Sequence, residues 1–289
     1  MNDADSSRGR RKVVFFPIVI AVIVVAFQYC SSEKFVNPET GRKARVGMSE
    51  GQEAALGLQS YREVLSQSRV ISSGAEVDLV RRVSERLAAA TGDVGKKFEW
   101  RVSVVQDPQA NAFCLPGGKM VVFTGIIPIA KTEAGLATVL GHEMAHATSR
   151  HGSQRLLQSN LTNIFLTGAS ASISLGDMDY QQKQAVMAAV GAGAQYGVLL
   201  PFSRDHEVEA DIVGLHYMAR AGYDPREAIG FWQRMAEGSN GRQPPEFAST
   251  HPSHGTRIER LKEEMPRAME DYQRANGARQ DVPVEKESR

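Results

Sequence analysis

The sequence predicts a mostly helical α+β domain with one small antiparallel sheet. Three observations lead there. Apolar residues recur at helical spacing in segment after segment, as in AEVDLVRRVSERLAAATG with Val77, Val80, Val83 and Leu87. A strand-like alternation of apolar and polar residues marks EWRVSVV, where Trp100, Val102 and Val104 have polar neighbours. Directly after it, NAFCLPGGKMVVFTGII sets two apolar runs on either side of Pro116-Gly117-Gly118, the pattern of a hairpin.

Taken in order, the chain opens with a basic flank, residues 1–12, carrying Arg8, Arg10, Arg11 and Lys12. An unbroken apolar run, Val13–Phe27, follows, and a basic region before a hydrophobic one reads as an export signal. The run is short for a straight span, at about 1.5 Å per residue against roughly 30 Å of hydrocarbon. Adding Gln28, Tyr29 and Cys30 makes 13–30 long enough for a tilted or snorkelling span. No Ala-x-Ala cleavage site follows, so the expectation is an uncleaved signal anchor with its flank in the cytoplasm and the remainder outside, in a bacterial periplasm. Lipidation of Cys30 is the alternative, against which Tyr29 stands as a large residue where a lipobox has a small one. Asp3, Asp5 and the non-amphipathic run disfavour a mitochondrial presequence.

Residues 31–48 are polar, contain Pro38 and Gly41, and read as a linker. Ser49 caps a helix with Leu56, Leu58, Tyr61 and Val64 at helical spacing, and the helix through Val77–Leu87 stops at Gly92. Beyond the sheet, Thr132 caps TEAGLATVLGHEMAHATSRHG, with Gly152 as its stop, and a further helix is expected near 153–166. Residues 167–200 are rich in Gly, Ala and Ser and read as closely packed helices; Asp177, Asp179 and Lys183 exclude a second span. SRDHEVEADIVGLHYMARAGY is helical, capped at Ser203 and closed near Gly222, and Asp224-Pro225 opens another helix through Met235. HPSHGTRIERLKEEM ends in a helix, and the charged tail 277–289 is expected to be disordered.

Composition narrows the function classes. A chain of 289 residues with 42% hydrophobic and 23% charged residues is ordinary globular protein, one large domain or two small ones. A net charge of +1 gives no global case for nucleic-acid binding. Cys30 and Cys114 are too few for a disulfide framework, and no Cys-x-x-Cys pair exists.

The chemistry centres on HEMAH, residues 142–146. Residues four apart on a helix share a face, so His142 and His146 can present nitrogens to one zinc ion. Glu143 stands about 100° around the helix, placed to act as general base on water at the metal's open position. The surrounding GLATVLGHEMAHA is apolar and small, hence buried, and buried His and Glu need partners. For a third ligand, RDHEVEADIVG offers His206, Glu207, Glu209 and Asp211. Glu207 and Asp211 share a face; Glu209, about 200° from Glu207, points elsewhere, as does His206 to a lesser degree. Glu207 as ligand and Asp211 as acceptor for an imidazole N–H fit zinc chemistry. One carboxylate with two neutral histidines leaves the site at net +1, which helps acidify water towards a pKa of about 7.

NAFCLPGGKMVVFTGII, GHEMAHATSRHG, SRDHEVEAD and STHPSHGTRIERL, in this order and spacing, resemble family forty-eight of the metallopeptidases, from about Asn37 to Met265. These are gluzincins that include CAAX prenyl proteases; VNPETGR and MSEGQEAALG are similar to the branch of stress-activated mitochondrial inner-membrane proteases and bacterial periplasmic assembly proteases. The resemblance implies a gluzincin domain over 49–276, its small antiparallel sheet beside the HExxH helix, holding one zinc. It makes His142, His146 and Glu207 the ligands, Glu143 the base and Asp211 the residue behind a ligand. It places His251 near the metal, with His254 as rival, accompanied by Arg257; His251 or Arg257 would stabilise the oxyanion, or His251 would cap the zinc. Asn111, Ala112 and Phe113 resemble the family's edge strand, which binds a peptide as an added strand with loose sequence specificity. Cys114 reads as a small hydrophobe there.

The function implied is a membrane-tethered zinc endopeptidase acting on misfolded or unassembled cell-envelope proteins. A low-activity chaperone with a His-capped zinc is the alternative. Partners expected are such substrates and membrane lipid through the N-terminal segment; no nucleic acid is expected, and an oligomer is compatible.

Overall fold

The computed structural model describes residues 14–195, 199–237 and 257–280. The chain begins α1 (Phe16–Ser31), β1 (Glu33–Val36), β2 (Lys43–Val46), α2 (Glu50–Ser66), β3 (Val70–Ile71), α3 (Ala75–Ala90) and a short α4 (Gly92–Gly95). Strands β4 (Arg101–Val105), β5 (Ala112–Leu115) and β6 (Lys119–Phe123) follow, with a short α5 (Ile127–Ala130). The rest is helical: α6 (Glu133–Thr148), α7 (His151–Ser174), α8 (Tyr180–Ala194), α9 (Leu200–Arg220), α10 (Glu227–Glu237) and α11 (Arg257–Gln280). Two compact units are formed, one of residues 1–34, 45–47 and 154–204, the other of 35–44, 48–153 and 205–289.

In the first unit, α1 buries only Ala21. It lies on α7 at Gly168, where a Cβ would come within 2.3 Å of that of Ala21, and the Ile18 N–H donates to Ser172 Oγ (3.0 Å). Phe16, Ile23 and Phe27 are exposed. The anchor expected over 13–30 is thus a 16-residue helix; no helix among the described residues is long and apolar enough to cross a membrane. Close packing was expected through 167–200. In α8, which Asp179 caps, no residue is buried, and Gly191 and Gly193 face open space. Small residues there do not mark a tight interface.

The second unit is built around α6. Apolar or small residues on every side make a helix buried all round, and Gly135 through Ala145 are all buried. Thr132 Oγ1 accepts the Gly135 N–H (2.9 Å) at its start. It packs on α3, α10 and β5. Its end differs from expectation: Gly152 lies inside α7, and the break falls at Arg150, with φ +55°. Few non-glycine residues adopt that backbone. The Arg150 side chain secures it, donating from Nε to Glu53 Oε1 (3.0 Å) and from Nη2 to the Met48 carbonyl (2.6 Å).

The sheet has the order β3-β4-β6-β5. It is antiparallel at β3/β4 and β5/β6 and parallel at β4/β6. The expected hairpin is β5–β6, turning through Gly117 and Gly118 at φ +77° and +82°, backbone that glycine adopts without penalty. β5 therefore ends one edge of the sheet. Alternate residues face opposite sides: Ala112 and Cys114 join the core around α6, while Phe113 and Leu115 pack with Tyr61 of α2, Val105 and Val121.

Residues 31–48 are not a linker, because β1 and β2 pair there. The turn is set by Asn37, whose Oδ1 accepts the N–H groups of Glu39 (2.9 Å) and Thr40 (3.3 Å), while its own N–H donates to the Arg42 carbonyl (2.9 Å). Short, charged strands such as EKFV and KARV give little apolar alternation to read. Two other boundaries move: Ser203 lies within α9 and does not cap it, and α11 continues past Gly277 to Gln280.

Helices α6 and α9 cross at two glycines. A Cβ on Gly214 would stand 2.8 Å from the His142 nitrogen and 2.9 Å from the Gly141 carbonyl carbon; one on Gly141 would stand 3.0 Å from the Gly214 oxygen. Both neighbours are backbone and cannot step aside. Gly214→Ala is expected to force the helices apart and cost about 1–3 kcal/mol, the usual range for overpacking a tight core. Urea unfolding of the two proteins measures it, and equal midpoints would show the crossing to be looser than drawn.

Candidate metal centre

One turn of α6 carries His142 and His146, their rings 4.7 Å apart. Their Nε2 atoms stand 3.0 Å from each other. Across the helix crossing, Glu207 of α9 brings Oε2 to 3.4 Å from His142 Nε2 and Oε1 to 3.5 Å from His146 Nε2. Donors 2.0–2.1 Å from a tetrahedral ion would lie roughly 3.3 Å apart, so the spacing and the donor set suit a divalent metal. Among the described residues these three form a group able to hold one. His142 and Glu207 are buried and His146 is partly open, which leaves an approach on its side.

Behind them stands a charged layer. His142 Nδ1–H donates to Asp211 Oδ1 (2.9 Å). Arg257, the first residue of α11, donates from Nε to Asp211 Oδ2 and from Nη2 to Glu207 Oε2 (3.0 Å). Its guanidinium lies over the Trp232 ring, 3.7 Å from the centroid, and that ring meets His142 edge-on at 5.9 Å. Burial alone would lower the His142 pKa, but the bonds and charges of Asp211 and Glu207 outweigh it and raise it to about 9. Two buried carboxylates against one guanidinium leave a negative charge to balance. A bound cation would balance it.

Glu143 lies next to His142 and is buried. Its Oε2 accepts the backbone N–H of Cys114 (3.2 Å), which ties it to the edge strand β5. Of the expected strand residues, Asn111 accepts the Phe123 N–H with its carbonyl (3.0 Å) and the Ala112 N–H with its side chain (2.9 Å). Phe113 points to the far face of the sheet, with its ring edge-on to Phe123 at 6.1 Å. The Phe113 backbone pairs inward with Val121 of β6, so the outward edge of β5 is the backbone of Ala112 and Cys114. Burial and the nearby Glu143 charge push the Cys114 thiol well above its ordinary pKa, which keeps it a neutral, small apolar group.

Arg257 was expected beside a developing oxyanion; its guanidinium is instead engaged with Glu207 and Asp211. His251 and its rival His254 lie outside the described residues. Glu209 does point away from the three ligand atoms, but it is buried and fully engaged, accepting from Thr40 Oγ1 (2.6 Å), Arg42 Nε (2.9 Å) and Nη2 (2.5 Å), and lying 2.8 Å from His151 Nε2. Burial would raise its pKa, yet these bonds hold it down at about 2. Sequence reading missed His151 and Trp232. Helical spacing could not find His151, because the break at Arg150 separates it from α6 and re-aims it. Trp232 sits on the buried face of α10, where an aromatic reads as core.

Fold and site together define an HExxH-type metal centre on a mostly helical α+β scaffold. Residues 75–265 match Peptidase family M48, and the chain belongs to that family. It is 39% identical over 221 residues to the mitochondrial metalloendopeptidase OMA1 of Schizosaccharomyces pombe, covering 75% of this chain and 62% of that protein. It is 31% identical over 272 residues to the human mitochondrial metalloendopeptidase OMA1, covering 88% of this chain and 50% of the other. To the beta-barrel assembly-enhancing protease of Yersinia pestis it is 30% identical over 223 residues, covering 76% and 45%. The chain thus matches about half the length of these relatives.

Glu207→Gln is expected to lower retained metal, measured by elemental analysis after dialysis, more than Glu209→Gln does. The first removes charge from a donor to the metal, the second from a group behind a histidine. Equal losses would sink the assignment of Glu207 as ligand.

Proposed function

We propose that this chain is a zinc-dependent metalloendopeptidase. The observation that carries the reading is the convergence of His142, His146 and Glu207 within metal-binding distance, with Glu143 beside them and bonded to an edge strand. Two imidazoles and a carboxylate are the donor set of catalytic zinc sites that keep one position open. Bound zinc supplies Lewis acidity, polarising the scissile carbonyl and lowering the pKa of water at the site.

The chain's own groups do the rest. Glu143 takes a proton from the attacking water and passes it to the leaving amine. The bond from Cys114 N–H to its carboxylate, one residue from His142, supports that role. On the resemblance of Asn111, Ala112 and Phe113 to the family's edge strand, an extended peptide adds along β5, whose outward-facing backbone is that of Ala112 and Cys114, a mode that reads main chain and tolerates many sequences. Asp211 holds the imidazole of His142, and Arg257 orients the carboxylates of Glu207 and Asp211. His251 is assigned the oxyanion or the capping role on the resemblance of its His-Pro context.

For substrates, we infer misfolded or unassembled envelope proteins, met by an enzyme tethered to the inner membrane with its catalytic unit in the periplasm. The apolar, exposed α1 behind a basic flank supports a tether, through insertion or through lipid at Cys30. The relative named for beta-barrel assembly supports the compartment.

Glu143→Gln is expected to retain one zinc per chain while casein cleavage falls by about 10²–10⁴-fold, the usual contribution of a positioned general base. Removing zinc with a chelator from the wild type is expected to abolish cleavage, and zinc alone to restore it. Cleavage by Glu143→Gln at the wild-type rate would overturn the mechanism.

A further inference from the structure

The two metal histidines are held in different ways. His142 Nδ1 meets a carboxylate, that of Asp211, at 2.9 Å. His146 Nδ1 meets another imidazole, His151 Nδ1, at 2.9 Å. Two ring nitrogens at that distance share one hydrogen, so one donates and the other accepts. When His146 turns its Nε2 lone pair to a metal, its hydrogen sits on Nδ1, and His151 Nδ1 must accept it. His151 then carries its own hydrogen on Nε2, which faces Glu209 Oε2 at 2.8 Å. A carboxylate can only accept, so Glu209 selects this tautomer of His151, and His151 in turn selects that of His146.

The surroundings lock the arrangement. The His206 ring stacks on that of His151, 4.0 Å away and 8° from parallel, which fixes its plane. Glu209 is fixed in turn by Thr40 and Arg42. Both lie in the turn between β1 and β2, outside the residues 75–265 that match the family. The same turn is moored to the end of α6, where Asn37 Nδ2 donates to Ser149 Oγ (2.8 Å).

Resting on the metal reading above, we propose that His151 and Glu209 are positioning residues for the metal, and that the β1–β2 turn, through Thr40 and Arg42, completes the metal centre. The hairpin would then be part of the active site although it contributes no ligand. Loss of such a supporting bond typically weakens metal binding by about 10–100-fold.

The test measures zinc affinity of the full chain by competition with a chromophoric chelator, alongside thermal unfolding of the metal-free proteins. His151→Phe keeps the stacked ring but removes both nitrogens, and is expected to bind zinc about 10–100-fold more weakly. His151→Gln, whose amide can accept from His146 and donate to Glu209, is expected to recover most of that loss. Glu209→Gln, trading a charged acceptor for a neutral one, is expected to weaken zinc binding while leaving a folded chain. A merely structural role would lower the unfolding temperature, leave zinc affinity unchanged, and give Gln no advantage over Phe. Wild-type affinity in His151→Phe, or Gln as weak as Phe, overturns the proposal. Should His151→Phe not fold, unchanged affinity in Glu209→Gln overturns it. A wild type that binds no zinc overturns the metal reading itself, whereas a zinc-binding wild type with unaffected variants overturns this inference alone.

Discussion

The close crossing of α6 and α9 is the constraint on which the rest of the site depends. Gly141 and Gly214 let the two backbones approach to distances no side chain would permit. On α9, Glu207, Asp211 and Gly214 fall at spacings of four and seven, one face of a helix. On α6, Gly141 adjoins His142, and His146 lies a turn beyond. A single contact therefore brings two pairs of residues four apart face to face, with ligand atoms 3.0–3.5 Å from one another. A wider crossing would carry Glu207 out of reach of both imidazoles, whatever their own geometry.

Holding that cluster together imposes an electrostatic demand. Glu207 and Asp211 are both nearly excluded from water, and an isolated buried carboxylate is costly. Arg257 meets both, and its own desolvation is offset by the face of Trp232. The remaining negative charge is what gives a cation purchase. Glu209 lies only two residues from Glu207, yet its charge is met separately, by the Arg42 guanidinium, with a hydrogen bond from a neighbouring imidazole. Glu207 and Asp211 thus share Arg257, while Glu209 is met by Arg42.

Much of this was legible from the sequence. The periodicity of Val77–Leu87, the turn at Pro116–Gly118 and the apolar character of the HEMAH helix all predicted elements that formed. Angular spacing on a helix was enough to separate Glu207 and Asp211 from Glu209. The failures share a cause. Val36, Asn37 and Arg42 read as linker because a two-stranded hairpin held by polar bonds leaves no apolar pattern. Gly152 read as a helix stop because glycine usually is one, whereas Arg150 takes the left-handed conformation at the expense of Glu53 and Met48, far away in the chain. Arg257 was assigned by context, and only a neighbour from another helix shows which anion it meets.

By itself, then, the sequence determined what lies within one or two turns: the pairing of His142 with His146, of Glu207 with Asp211, the hairpin, and the burial of the helix that carries the histidines. These are set by 3.6-residue and two-residue periods, which are local. The tertiary structure alone decided how close α6 and α9 come, which carboxylate Arg257 serves, and that His151 turns back to His146 with Glu209, Thr40 and Arg42 behind it. Apart from His146 and His151, five positions apart across the break at Arg150, those contacts join residues from about 50 to nearly 170 positions apart, and no local period encodes a distance between separate elements. Close packing of backbones, with the need to pair every buried charge, sets it instead.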